Sequence, residues 1–260
     1  MNAEVFLTSE TVEEADLTGR TVVVIDVLRA CSTIVTALAN GARAVLPVTD
    51  MAEAGRIASN LDRDVYRLGG EQGGEKIEGY DLGNSPHDYT RETVEERDVI
   101  LNTSNGTLAL ARAQSADELL VGCFLNAERV VERVRAAGRD VTLVCAGQSG
   151  RISLEDTLCA GLLLHRLWGG DEPTVTTDTA HVAFSQYVRD RDDVAGALRR
   201  SDNARRLADL GAEEDVRYCM DVDALPLLPR FSENRLRPVE EPAERRPAGR
   251  TRLNGRRGQK

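Results

Sequence analysis

Apolar and polar positions follow two periods along the chain. The run at 21–27 (TVVVIDV) is almost continuous in β-branched residues, the pattern of a strand buried on both faces. Shorter runs at 3–7, 43–48, 64–68, 98–102, 118–121 and 140–145 predict further strands. Between them, apolar residues recur at helical spacing. One helix runs through Ile34, Ala37 and Leu38 and stops at Asn40-Gly41. Others are predicted from Thr49-Asp50 to about 60, from Ser85-Pro86 onward, to about 113, over 126–137 and over 154–167. Ser153 and Asp156 are spaced as a capping box at the start of the last one. After Gly169-Gly170 the pattern predicts helices only, near 175–189, 193–200, 202–210 and 214–219. Strands alternating with helices predict an α/β fold of three layers, α/β/α.

The junctions between strands and helices interrupt this pattern with chemistry. The most unusual is Leu68–Pro86, LGGEQGGEKIEGYDLGNSP, which holds six glycines, Glu71, Glu75, Glu78, Asp81 and Lys76. Glycines at this density suit a chain that turns sharply or lies against a ligand. The acids are able to hold a hard cation and the lysine and backbone N–H groups an anion. Three more junctions are polar: 26–33, 102–107 and 145–156. In open α/β sheets ligands bind at the C-terminal strand ends, where helix starts favour anions. Four such junctions predict a phosphate- or carboxylate-binding cleft on one sheet edge.

Composition narrows the partners. A net charge of −10 over 260 residues argues against nucleic-acid and basic membrane-surface binding. The segment 237–260 carries eight Arg/Lys against three Glu, a net +5 that leaves −15 for the body; with no apolar period, it reads as a disordered basic tail after a domain spanning 1–236. Lysine occurs only at 76 and 260, which gives Lys76 weight as a compact point charge. Five cysteines in no zinc pattern, with no signal peptide or membrane-length apolar run, predict reduced thiols in a cytoplasmic protein.

Single residues keep alternatives open. Asp26, ending a buried strand, is able to be a metal ligand, a nucleophile or only a helix cap. Arg29 would fork onto phosphate or pair with Asp26. Asp156 is readable as a cap, Glu155 as helix surface, and Asn105-Gly106-Thr107 as a turn. Cys145-Ala-Gly-Gln-Ser-Gly-Arg151 has the C-x5-R layout of cysteine-dependent phosphatases, although a cysteine ending an apolar strand is commonly inert. No P-loop motif is present.

Taken together, the blocks DVLRACSTI (26–34), GGEQGGEKIEGYDLGNSP (69–86), TSNGTLAL (103–110), GCFLNA (122–127) and CAGQSGRISLEDTLCAG (145–161) closely resemble the 2-phosphosulfolactate phosphatase (ComB) family. A weaker block at 201–223 is similar to the family's C-terminal part. Cys31 and Tyr80 stand where Ser and Phe are expected in many members. The resemblance implies a cytoplasmic, Mg²⁺-dependent phosphatase with a mixed sheet, two lobes and the active site between them. Its namesake reaction removes phosphate from 2-phospho-3-sulfolactate in coenzyme M biosynthesis. Carried over by motif are Asp26 and Arg29; Glu71, Lys76, Asp81, Asn84 and Ser85; Asn105, Gly106 and Thr107; and Glu155 and Asp156.

The mechanism expected from this set is metal-assisted hydrolysis of a small anionic 2-phospho acid. Asp26, Glu71, Asp81 and Glu155 would hold Mg²⁺, with Asp156 as a further acid. Arg29, Lys76, Asn84, Ser85, the Asn105–Thr107 helix start and Gly147 would hold the phosphoryl group. Arg151 would suit the substrate's carboxylate or sulfonate. The nucleophile is left open between water, Asp26 and, as an alternative, Cys145. The helical segment 174–220 would cover one lobe or form a homodimer interface.

Overall fold

The apolar runs become elements in the computed structural model, which describes residues 1–171, 173 and 176–239. In chain order they are β1 (Ala3–Phe6), β2 (Thr21–Ile25), α1 (Ala30–Ala39), β3 (Ala44–Val48), α2 (Met51–Ala58), β4 (Tyr66–Gln72), β5 (Glu75–Lys76) and α3 (Arg91–Val94). Then come β6 (Asp98–Asn102), α4 (Gly106–Arg112), β7 (Glu118–Gly122), α5 (Ala127–Ala137), β8 (Val141–Cys145) and α6 (Leu154–Leu167). The chain continues through α7 (Asp178–Asp190), α8 (Val194–Leu198), α9 (Asp202–Asp209), α10 (Glu213–Cys219), β9 (Pro229–Ser232) and β10 (Arg235–Pro238). Caps fall where the sequence puts them: the Asp50 side chain accepts from Glu53 N at 2.7 Å, and Gly138 ends α5 with φ 63°.

The ten strands of the described residues form one mixed sheet in the order β1-β8-β2-β7-β9-β10-β3-β6-β4-β5. It contains two parallel blocks, β1-β8-β2-β7 and β3-β6-β4. The hairpin β9–β10 joins them, antiparallel to β7 on one side and to β3 on the other. The two blocks therefore run in opposite senses. Sheet twist of roughly 20–25° per strand accumulates to on the order of 100° over the five steps from β2 to β6. That rotation swings the C-terminal ends of both blocks toward a common cleft.

Alternation in β2 sorts the core into layers. Val23 and Ile25 face a cluster with residues of α5, α6 and α7, while Val22 and Val24 face one with residues of α1 and α4. In the second block Val99 and Leu101 join the α1/α4 cluster, and Ile100 packs with Ala54 and Ala58 of α2. The α/β/α layering and mixed sheet agree with expectation, and α7–α10 cover the first block.

Four features differ from the sequence reading. The four polar junctions converge, but from two opposed blocks rather than one parallel edge. The segment after Gly170 also contains strands: β9 and β10 turn through Glu233 and Asn234, with φ 53° and 59°, the two-residue hairpin geometry. Strands this short, carrying Pro and Arg, have no readable period. The boundary at 237 falls inside β10, and Val239 donates its N–H to Leu228 O at 2.8 Å. The rest of the tail, 240–260, lies outside the described residues. Finally, Leu68–Gln72 is strand rather than loop. A Cβ at Gly70, φ 147°, would strike the Asn102 carbonyl of the neighbouring β6, so only glycine continues the strand there.

Candidate active site

The cleft forms because four strand ends each hand over a polar residue. β2 ends one residue before Asp26, β4 carries Glu71, β6 leads into Ser104, and β8 leads into Gly147 and Gln148. A cavity of about 80 Å³ lies among them, with Asp26, Arg29, Glu71, Gly74, Asn84 and Arg206 in its lining. It shares Gln148, Ser149 and Asn203 with a wider groove of about 610 Å³ that also holds Arg151 and Glu155.

Asp26 is the electrostatic centre. Its Oδ1 accepts from Ala30 N at 3.1 Å at the start of α1. Burial pushes its pKa from the ordinary 3.8 to about 7; the Glu71 and Glu155 carboxylates add to this, against the Ala30 N–H and the Arg29 charge. Space beside it is bought by Gly106, where a Cβ would lie 2.7 Å from Asp26 Oδ2. Glu71, nearly buried, ties the glycine hairpin to the β6–α4 junction. Its Oε1 accepts from Ser104 N at 2.7 Å and its Oε2 from Gly74 N at 2.6 Å. Glu155 Oε1 accepts from Asn203 Nδ2 at 3.2 Å, and the same Nδ2 donates to Leu28 O at 2.7 Å.

Arg29 pairs with Asp215 rather than Asp26. Nη1 meets Asp215 Oδ2 at 2.6 Å with both side chains buried, and Nη2 donates to Gly74 O at 2.9 Å. Ser85, expected on phosphate, donates its hydroxyl to the other Asp215 oxygen at 2.6 Å and caps the turn at His87 N. Asn84 does line the cavity, and its Oδ1 is buried without a hydrogen-bond partner.

Other expected residues are held by the protein itself. Asp81 is turned to an ion pair with Arg63 and accepts from Leu68 N at 2.8 Å; it does not line the cavity with Asp26. Asp156 does not close a capping box: Ser153 Oγ caps Asp156 N, while the carboxylate accepts from Val27 N at 2.8 Å and Gly147 N at 3.2 Å. It braces the β2 and β8 junctions against each other, and burial, with Asp26 and Glu155 nearby, holds its pKa well above the usual carboxylate range. The Gly147 N–H is thereby occupied. Thr107 is buried and bonded reciprocally to Thr103, and Asn105 Oδ1 accepts from Ser149 N at 3.0 Å. Lys76 is exposed, directly across the β4–β5 pair from Glu71 and so on the same face.

The C-x5-R loop is not a phosphate cradle. Cys145 is fully buried, and burial together with the Asp156 and Glu155 charges pushes its thiol far up, the reverse of a nucleophilic thiolate. Gln148 and Arg151 close the loop on themselves through paired backbone bonds, and the Arg151 side chain is exposed. All five cysteines are free and buried.

Asn203, Arg206 and Asp215 escaped sequence reasoning. The only signal for them is the block at 201–223, whose resemblance names no functional residue.

The donors around Asp26 are hard oxygens: clustered carboxylates that repel one another, and the orphaned Asn84 oxygen. This chemistry fits a small divalent cation. Among the described residues no three His, Cys, Asp or Glu side chains close as a ready-made cage. An ion here would take few protein ligands and complete its shell with water and substrate, as Mg²⁺ does.

The family described as 2-phosphosulpholactate phosphatase matches residues 6–234. A probable 2-phosphosulfolactate phosphatase of Caldanaerobacter subterraneus subsp. tengcongensis is 35% identical over 93% of this chain and 100% of its own. Proteins of the same name from Symbiobacterium thermophilum and Pseudothermotoga lettingae are 40% and 43% identical, over 85% and 82% of this chain and 95% and 90% of theirs. The chain belongs to the 2-phosphosulfolactate phosphatase family of phosphoric monoester hydrolases.

Proposed function

We propose that the protein is a cytoplasmic, Mg²⁺-dependent phosphatase of a small anionic 2-phospho acid. The reaction is 2-phospho-3-sulfolactate plus water to 3-sulfolactate plus phosphate, as in coenzyme M biosynthesis. The observation that carries this reading is Asp26: a buried carboxyl at the cleft floor, raised to about 7 partly by two further carboxylates, in a chain of this family. Like charges are brought together against their repulsion where a cation or a proton is to sit between them.

Asp26 and Glu71, the carboxylates that line the central cavity, would hold the ion with the Asn84 oxygen, and Glu155 in the adjoining groove would add negative charge. When bound, it supplies positive charge to these carboxylates and to the phosphoryl oxygens. Without it, burial favours the protonated form of Asp26, and Oδ1 is already taken by the Ala30 N–H. Arg29 is fixed by Asp215 and Gly74, and its remaining N–H groups are available to the phosphoryl group. Glu71 keeps the glycine hairpin folded against Ser104, which positions that wall of the cavity. Asp156 positions the Val27 and Gly147 backbones, and Cys145 takes no part. Water attacks phosphorus, the phosphorus bond to the C2 oxygen breaks, and a proton from the water passes to the departing C2 oxygen, giving 3-sulfolactate and phosphate.

Phosphate release measured with Mg²⁺ across phosphosulfolactate, phospholactate, phosphoglycolate and sugar phosphates tests this. Turnover restricted to 2-phospho acids and abolished by EDTA is expected. Undiminished turnover in EDTA, or preference for sugar phosphates, would sink it.

A further inference from the structure

Among the residues lining the central cavity, two are cationic, Arg29 and Arg206. They differ in one respect that decides their use. The Arg29 guanidinium is tied at both ends, to Asp215 and to Gly74 O. The Arg206 side chain, half-buried on α9, makes no hydrogen bond or ion pair among the described residues, although it stands in a cavity floored by carboxylates. The hairpin makes room for it: a Cβ at Gly74, φ 90°, would lie 2.5 Å from Arg206 Nη2. An arginine fork half-removed from water without an acid partner is the arrangement left when a planar or tetrahedral oxyanion supplies the missing acceptor.

We infer that Arg206 is the specificity-determining residue that binds the substrate's second acidic group, the carboxylate or sulfonate beside the phosphoester. The inference rests on the phosphatase reading for the identity of that substrate. Arg206 enters the cavity from the helical layer, whereas Asp26, Glu71 and Arg29 enter from strand ends. A substrate with its phosphoryl group over Asp26 and Arg29 places a second anion within reach of the α9 side. Arg151, expected for this task from sequence, lines only the neighbouring groove and is exposed. Arg200 in that groove is paired with Asp190 at 3.1 Å. Among the described residues, Arg206 is the cation lining the central cavity whose side chain has no acid partner.

The test compares Arg206→Ala, Arg206→Lys and Arg151→Ala. For each, kcat/KM is measured on phosphosulfolactate and on ethyl phosphate, which lacks the second acid, and binding of sulfolactate and inorganic phosphate is measured by calorimetry. Arg206→Ala is expected to lower the ratio of the two kcat/KM values by about 10- to 100-fold, the loss of one charge-assisted pair. It should weaken sulfolactate binding similarly and phosphate binding far less. Arg206→Lys should recover part of the ratio, and Arg151→Ala should shift it less than Arg206→Ala. An unchanged ratio, or equal weakening of sulfolactate and phosphate, overturns the assignment, as does a larger effect at Arg151. If the wild-type protein hydrolyses neither substrate, the phosphatase reading fails by itself. The calorimetric arm then still decides whether Arg206 binds the acid.

Discussion

Arg29 and Asp215, 186 residues apart in the chain, form a buried ion pair at 2.6 Å that ties the start of α1 to α10. The pair is completed by Ser85, whose hydroxyl donates to the second carboxylate oxygen, and by the Gly74 carbonyl on the far side of the guanidinium. Two charges taken out of water are tolerable when each is hydrogen-bonded on its remaining sides, and removal of one partner strands the other.

Asp215→Asn is therefore expected to destabilise the protein by about 3–5 kcal/mol, because Arg29 stays buried with its charge uncompensated. Ser85→Ala removes one hydrogen bond to a charged group and should cost about 1.5–3 kcal/mol. Urea melts of the three proteins check both figures. A loss below that of Ser85→Ala in the Asp215 variant would show that the pair does not bear on stability.

Asp26 makes stability fall with pH. Its folded-state pKa is raised from 3.8 to about 7, chiefly by burial, so the folded protein takes up a proton that the unfolded chain releases. Its contribution is fully present below 3.8 and is lost as pH rises through about 7. Asp26→Asn should match the wild type near pH 3.5 and melt higher above pH 7. With about 2–4 °C per kcal/mol for a chain of this size, the gap is expected to be several degrees. Melts across pH 3.5–8.5 in chelator measure it, and equal melting temperatures at pH 8 would contradict the burial argument.

Gly106 has no room for a side chain. Its Cβ would lie 2.7 Å from Asp26 Oδ2 and collide with Ala30, backbone-linked groups that do not yield easily. Gly106→Ala is expected to cost about 1–3 kcal/mol by overpacking and to lower kcat by displacing Asp26. Steady-state kinetics with a thermal melt separate the two effects. Normal kcat would mean that the Asp26 position is not critical.

Cys145→Ala discriminates the two phosphatase chemistries. The thiol is fully buried and hard to ionise, so its removal should leave kcat/KM within about threefold of the wild type, with a stability loss of about 1 kcal/mol for a small cavity. Phosphate-release assays on the folded variant measure this. Loss of activity by several orders of magnitude would restore the cysteine mechanism.

How much was legible in advance depended on how local the signal is. The runs at 21–27, 98–102 and 140–145 became β2, β6 and β8, because burial on both faces leaves a continuous apolar run. Asp50 and Ser153 marked helix starts because caps act within a few residues. The glycine stretch before Pro86 pointed to close backbone approach, and at Gly70 the neighbouring strand is the reason. The ordered blocks of polar junction residues also marked the family.

Partner choice was not local, and there the tertiary structure decided. Asp81, Asp156 and Ser85 read in sequence like site residues, yet each is satisfied by a protein group distant in the chain. Arg29 found Asp215 across 186 positions, and the Arg206 side chain found no partner among the described residues. The hairpin β9–β10 entered the middle of the sheet from the far end of the chain, which set the two blocks in opposite senses and left twist to bring their ends together. The sequence by itself determined which segments are buried and which junctions are polar, since hydrophobic period and capping depend on neighbours in the chain. Only the folded structure decided which charges meet, since an ion pair or an orphaned donor depends on distance and on exclusion of water.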